Sequence, residues 1–256
     1  MNRMQARPQG WQTGRKLQDE TDGRFQMLVF TRWALPAVVA ATVGLLPAAP
    51  AQAGPPAALG GGSGIVFGGG ATCSLTTIGY DRAGRLVGFT AGHCAEAGTP
   101  VSGEQFPDAG VVGVVVSSDA QLDYAVIEFD AGAVVPLRTV GGTTITGIGE
   151  PPPAGNVVCQ NGRTSGRACG LVWASSPYGF IDQACSGYGD SGGPLTVGDR
   201  LVGMVSGPLI NDTRVLRFSC TDGNNPLHTP VIAVSFDAVR SVVNASKGVG
   251  AGFQPV

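Results

Sequence analysis

The sequence predicts an all-β protein, built as one unit or as two small barrels and finished by a single C-terminal helix. Three observations lead there. From Cys73 onward short apolar runs alternate with turn residues: 75–78, 86–90, 111–117, 124–129 and 143–148, then 156–159, 170–174, 201–206 and 231–235. Runs this short, separated by Gly and Pro, suit the strands of a barrel or sandwich. The composition agrees, with 41 Gly, 18 Pro and only 13% charged residues in 256, which leaves little material for amphipathic helices. The one helical pattern stands near the end, where Ser235 can cap 236–243, Asp237 occupies the first turn and Gly248 lies beyond the last. Phe236, Val239 and Val243 share a face of that helix, which predicts packing on the second barrel.

Residues 1–53 read as a leader. Arg24 and Arg32 precede an apolar run over 34–46, followed by Pro47-Ala48-Ala49-Pro50-Ala51-Gln52-Ala53, an Ala-x-Ala cleavage site. A membrane anchor needs about 20 apolar residues, so the run reads as a signal peptide and the mature chain as secreted, with no membrane attachment after cleavage. Met27 is an alternative start that gives this leader an ordinary length. Residues 54–72, rich in Pro, Ala and Gly, read as a flexible lead-in. Residues 73–150 are then expected to form the first β-barrel and 151–256 the second with its helix, joined at Pro151-Pro152-Pro153.

A net charge of -2 with no basic run gives no footing for nucleic acid. The six cysteines, Cys73, Cys94, Cys159, Cys169, Cys185 and Cys220, all follow the leader. An even number in an exported chain reads as disulfides, for which arithmetic alone allows 15 pairings. Zinc spacing is missing, because no Cys-x-x-Cys occurs and the histidines are only His93 and His228. Neither a metal nor a cofactor is expected.

Chemistry concentrates in three segments. Gly189-Asp190-Ser191-Gly192-Gly193-Pro194 sets a serine between glycines, with room for a carbonyl to approach and for backbone N–H groups to face it. A serine hydroxyl needs a neighbouring base to become a nucleophile, and Thr90-Ala91-Gly92-His93-Cys94 offers an imidazole beside a half-cystine. Between them Leu122-Asp123-Tyr124-Ala125-Val126-Ile127 places a carboxylate at the head of an apolar strand, suited to orienting that imidazole. The order His…Asp…Ser separates the chain from α/β-hydrolases (Ser…Asp…His) and subtilisins (Asp…His…Ser).

These segments, together with Val158-Cys159-Gln160-Asn161-Gly162-Arg163-Thr164-Ser165-Gly166, carry a resemblance. The chain resembles the bacterial branch of the chymotrypsin-fold proteases, the group of streptogrisins and alpha-lytic protease, over 73 to about 206, most of the mature chain. The resemblance implies two antiparallel six-stranded β-barrels with a C-terminal helix, and a monomeric serine endopeptidase acting on peptide or protein substrates. It assigns His93 as general base then acid, Asp123 as its orienting partner and Ser191 as nucleophile. The oxyanion hole falls to the N–H groups of Gly189 and Ser191, and the substrate-binding surface to Ser186, Tyr188, Ser206, Gly207 and Pro208. It also implies the pairings Cys73–Cys94, Cys159–Cys169 and Cys185–Cys220.

Three departures accompany it. No folded prodomain fits between Ala53 and Cys73. Relatives balance the aspartate beside the nucleophile with an arginine just after a cysteine, a place held here by Gln160, which leaves Arg163 or a freed Ile65 amine as partners for Asp190. Ser206-Gly207-Pro208 ends in Pro where relatives often have Gly. Two alternatives stay open. One is an esterase elbow, Gly-x-Ser-x-Gly, working through Ser191, His228 and Asp212 or Asp222, which demands a helix directly after the serine. The other is a non-catalytic binding protein on a protease fold.

Overall fold

The computed structural model describes residues 54–210, Cys220 and 228–256; the leader over 1–53, Asp212 and Asp222 lie outside them. Eight strands run through the first half of the described chain: β1 (Ala57–Gly60), β2 (Gly64–Phe67), β3 (Thr72–Ser74), β4 (Thr77–Tyr80), β5 (Leu86–Thr90), β6 (Pro100–Gly103), β7 (Val111–Asp119) and β8 (Tyr124–Phe129). A connecting stretch follows with β9 (Val134–Leu137), β10 (Thr139–Val140) and β11 (Thr143–Thr144). The second half holds β12 (Gly147–Ile148), β13 (Val157–Gly162), β14 (Gly166–Ser176), β15 (Gly179–Asp182), β16 (Pro194–Val197), β17 (Arg200–Pro208) and β18 (Val231–Ser235), then helix α1 (Phe236–Ser246) and β19 (Gln254–Pro255).

The fold is the all-β one the sequence predicts, with differing barrels. Strands β17-β16-β13-β14-β15-β18 close into a six-stranded ring through a direct β17–β18 pairing, and β12 adds parallel to β17. The first sheet is eight-stranded and open, in the order β19-β4-β5-β8-β7-β6-β2-β3. Its terminal strand comes from the end of the chain, since Gln254 and Pro255 pair with Tyr80 and Gly79. The C-terminal segment therefore belongs to both halves.

Two boundaries move. Residues 54–72 are no lead-in: β1 pairs parallel with β9, β2 pairs with β3 and β6, and Ala57, Leu59, Ile65 and Phe67 are buried in the first core. Their period of two was legible, but glycine-rich surroundings read compositionally as linker. The connection between sheets lies before the Pro triplet, because Gly147–Ile148 already pairs with Arg200 and Leu201.

The helix forms as its cap signal directs, with the N–H of Ala238 donating to Ser235 Oγ at 3.3 Å and Lys247 closing the end at φ 56°. Its buried Phe236, Val239 and Val243 do not pack on the second barrel alone. They share one core with Leu201, Met204 and Val234 of the second barrel and with Val87, Phe89 and Val126 of the first sheet. The rings of Phe89, Phe236 and Phe253 meet edge-on at 5.0 to 6.1 Å between centroids, the arrangement that ring quadrupoles favour. Strand β8 is apolar on both faces for this reason. Ala125, Ile127 and Phe129 enter the first core, while Tyr124 and Val126 enter the shared one.

One buried group is out of register with its surroundings. Asp182 on β15 is fully buried, and among the described residues only one of its carboxyl oxygens has a partner, the N–H of Ala184 at 2.8 Å. Burial pushes its carboxyl from 3.8 up to about 7, against the opposing Ala184 bond. Between those values the folded chain keeps a proton that the unfolded chain has lost, so its contribution to stability falls as pH rises. Asp182→Asn is expected to gain in Tm over wild type progressively across that range. A difference in Tm that stays constant from about pH 4 to about pH 7 would show that Asp182 is ionised throughout.

Candidate active site

Adjacent strands bring the histidine and the aspartate together. β5 and β8 pair antiparallel with Thr90 opposite Ala125, so the residues after β5 lie beside those before β8. His93 stands in a single 3-10 turn, Gly92–Cys94, directly after β5, and Cys94 is bridged to Cys73 on β3 with Cα atoms 6.4 Å apart. Asp123 immediately precedes β8 at φ 45°, left-handed backbone that few residues other than glycine occupy.

Hydrogen bonds from both sheets converge on Asp123. His93 Nδ1 lies 3.0 Å from each carboxyl oxygen, and the His93 backbone N–H donates to Oδ1 at 2.9 Å. Ser206 Oγ, from β17 of the second barrel, donates to Oδ2 at 2.5 Å. Burial alone would raise the Asp123 carboxyl, but the bonds from His93 and Ser206 outweigh it and hold it below its ordinary value. In return the hydrogen bond to Asp123 raises the His93 imidazole above 6.5, against the opposing effect of burial.

The serine loop runs between β15 and β16 and is tied down on all sides. Ser74 N–H donates to Ser191 C=O at 2.8 Å and Ser74 Oγ to Gly189 C=O at 2.9 Å. Gly192 N–H donates to Val205 C=O at 2.7 Å. Gly192 is at φ 79°, and a Cβ there would fall 2.3 Å from Thr90 Oγ1, so only glycine lets the loop pass beneath β5. Among the described residues neither the N–H of Gly189 nor that of Ser191 donates to any protein acceptor, and none of the described hydrogen bonds joins Ser191 Oγ to His93. Long or absent contacts of this kind are common before substrate binds.

Asp190 is fully buried, and among the described hydrogen bonds neither Arg163 nor Ile65 reaches it, although Arg163 is close enough to feel its charge. Its carboxylate accepts three backbone N–H groups: Thr164 at 2.8 Å, Ser165 at 3.1 Å and Gly187 at 2.7 Å. Arg163 turns instead to Glu104, with Nε 2.6 Å from Oε2. Ile65 is in mid-strand between Cys73 and Gly103, its nitrogen inside the chain. Gln160 fills the usual arginine place, buried, and donates to Cys185 C=O.

A cavity of about 810 Å³ opens beside these residues. His93, Ser191, Ser186 and Tyr188 line it, as do Ser206, Gly207 and Pro208 from the end of β17, with Val231 and Ile232 behind. Every residue the sequence assigned to substrate binding is thus on its wall, and among the described lining residues none is charged apart from the titratable His93. The β16 partner of β17 ends at Met204, while Gly207 and Pro208 pair on the other side with Ile232 and Val231. One edge of Ser206–Pro208 therefore faces the cavity unpaired. Tyr188 lies at the mouth, 80% exposed.

The other assignments divide. Cys73–Cys94, Cys159–Cys169 and Cys185–Cys220 are at disulfide distance. His228 is buried beside Gln183, whose Nε2 donates to its carbonyl at 2.7 Å, and does not line the cavity. The esterase elbow fails on its structural requirement, since Pro194–Val197 after the serine is a strand. Sequence reasoning missed Ser206 Oγ as a partner of Asp123, and Ser74 as the tie to the serine loop. Both contacts join residues more than 80 positions apart, and nothing local marks them. Titration of His93 by NMR is expected to give a midpoint above 6.5, falling in Asp123→Asn; an unchanged midpoint in that variant would overturn the electrostatic coupling.

No protein-family model matches the chain. Solved structures do. Protease A of Thermobifida fusca is 26% identical, with a TM-score of 0.58 over 78% of this chain and 99% of its own. A chymotrypsin of Cellulomonas bogoriensis is 24% identical, with a TM-score of 0.56 over 78% of this chain and 98% of its own. A Nocardiopsis protease is 24% identical, with a TM-score of 0.55 over 73% of this chain and 97% of its own. All three are bacterial serine proteases of the chymotrypsin-like two-barrel fold, and that fold is the one this chain adopts.

Proposed function

We propose that this protein is a secreted serine endopeptidase that cleaves peptide bonds through His93, Asp123 and Ser191 and an acyl-enzyme intermediate. One observation carries the reading: His93, already paired with Asp123, lines the same cavity as Ser191, on whose loop two N–H groups have no acceptor among the described residues. His93 takes the proton of Ser191 Oγ as the oxygen attacks the scissile carbonyl. Asp123 keeps the imidazole in the tautomer with its proton on Nδ1 and stabilises the imidazolium that forms. The tetrahedral oxyanion is met by Gly189 and Ser191 N–H, where a fixed donor is worth about 10²–10³ in rate. His93 then protonates the leaving amine, and a water molecule activated by His93 releases the acyl group from Ser191.

Three disulfides support an oxidising compartment and hence export. No helix among the described residues is long and apolar enough to cross a membrane. The uncharged wall formed by Ser186, Pro208, Val231 and Ile232 supports a small or medium apolar residue before the scissile bond.

A fluorophosphonate probe separates the readings. It is expected to label wild type and not Ser191→Ala, while His93→Ala lowers kcat by about 10⁴ with binding nearly intact and His228→Ala changes little. An unlabelled wild type would make the protein a binding module. Activity lost with His228 and kept without His93 would restore the esterase.

The open edge of β17 supports antiparallel pairing with an extended substrate, and Pro208 brings no N–H to it. A hydrogen bond nets about 0.5–1.5 kcal/mol, so Pro208→Gly is expected to raise kcat/KM by up to roughly tenfold on a long peptide and little on a short one. Equal gains on both, or none, would remove Pro208 from that role.

A further inference from the structure

The Gly189 amide depends on a peptide plane that glycine leaves loose. Gly189 sits at φ 94°, and a Cβ there would fall 2.5 Å from Arg163 Nη1 and 2.8 Å from Thr164 Oγ1. Only glycine fits, yet glycine lets the Tyr188–Gly189 peptide turn over at little steric cost. Turned over, that unit would present a carbonyl where the oxyanion forms. In a trans peptide C=O and N–H point in opposite directions. Thr164 Oγ1 donates to Tyr188 C=O at 2.6 Å, so the hydroxyl that holds the carbonyl on one side aims the Gly189 N–H to the other. The second amide is held by backbone alone: Asp190 C=O accepts from Gly193 N–H at 2.8 Å, which turns the Ser191 N–H of the same peptide away from that bond.

We propose that the Thr164 hydroxyl is the positioning group of the oxyanion hole, holding the Tyr188–Gly189 peptide so that Gly189 N–H faces substrate. This rests on the protease reading above. Thr164 is itself fixed. Its N–H donates to Asp190, and its Oγ1 accepts from Arg163 Nη1 at 3.1 Å. Arg163 is held by Glu104, directly after β6. The next carbonyl, that of Gly189, has its own tie in Ser74 Oγ. The orientation of the Tyr188–Gly189 unit therefore depends on Thr164 in a way that its neighbour's does not.

Kinetics on one peptide substrate, with inhibition by the matching peptide aldehyde, test this. The aldehyde adduct puts an oxygen in the oxyanion hole, which the unreacted substrate does not load to the same degree. Thr164→Val is expected to lower kcat by about 10- to 100-fold, part of what one donor supplies, with KM within about threefold. Aldehyde affinity should fall in parallel, and Thr164→Ser, which keeps the hydroxyl, should recover most of both. Should Thr164→Val fail to fold, Thr164→Ala carries the same comparison against Thr164→Ser. Wild-type kcat in the Val or Ala variant, a loss in KM alone, or equal losses in all variants overturns the inference. A wild-type chain that neither cleaves peptides nor takes the fluorophosphonate overturns the protease reading and this inference with it.

Discussion

The Asp123 carboxylate is one place where the two halves of the molecule meet chemically, and the one at the proposed site. It accepts from the His93 ring and backbone on the first sheet and from Ser206 Oγ on the second barrel. A carboxylate taken partly out of water is costly unless its lone pairs are filled, and here each oxygen has donors. The same bonds offset the left-handed backbone at Asp123, a conformation that persists only where its surroundings over-determine it. Separating the halves would take the Ser206 bond from the carboxylate while leaving those from His93, so the hydrogen bonding of this group depends on the docking of the sheets.

That docking has an apolar counterpart. β5 and β8 carry His93 and Asp123 at their adjoining ends, and both strands are buried on both faces. One face fills the first core and the other meets α1, β17 and Phe253. The helix and Phe253, just before β19, close the shared core, which is why an 11-residue helix at the end of the chain bears on residues more than a hundred positions upstream. Close-packed interiors transmit small displacements, and proton transfer tolerates little misplacement. Anchoring His93 and Asp123 beside the two most enclosed strands would answer both demands of the proposed chemistry.

What the sequence made legible was the chemistry with a local signature. A glycine-framed serine, a histidine beside a half-cystine and a capped helix each announce themselves within a few residues. The strands over 57–67 were equally periodic, but composition outweighed pattern there, and glycine-rich backbone that packs against neighbours was read as backbone that does not. The crossing between sheets was drawn to Pro151-Pro152-Pro153 because proline punctuates, although β12 had already joined the second barrel. A buried carboxyl group suggests a cation as its partner, whereas the donors to Asp190 are backbone N–H groups. Long-range contacts such as Ser206 to Asp123 have no sequence mark at all.

The Asp190 cage is built from backbone, which leaves no mark in the sequence. Two of its donors, Thr164 and Ser165, are successive backbone N–H groups at the turn between β13 and β14, and the third is Gly187. Successive amides make an anion-binding concavity without any side-chain charge, and hydrogen bonds to a charged group contribute about 1.5–3 kcal/mol each. Three of them fill both oxygens of this buried group, two from the hairpin turn and one, Gly187, from the serine loop itself. Arg163, which still feels the Asp190 charge, makes its hydrogen bonds to Glu104 across the sheets. The hairpin that neutralises Asp190 thus also carries, in Thr164 and Arg163, the side chains that reach the opposite face of the serine loop. One turn, Gly162 to Gly166, contributes at once to charge balance, loop shape and contact between the halves.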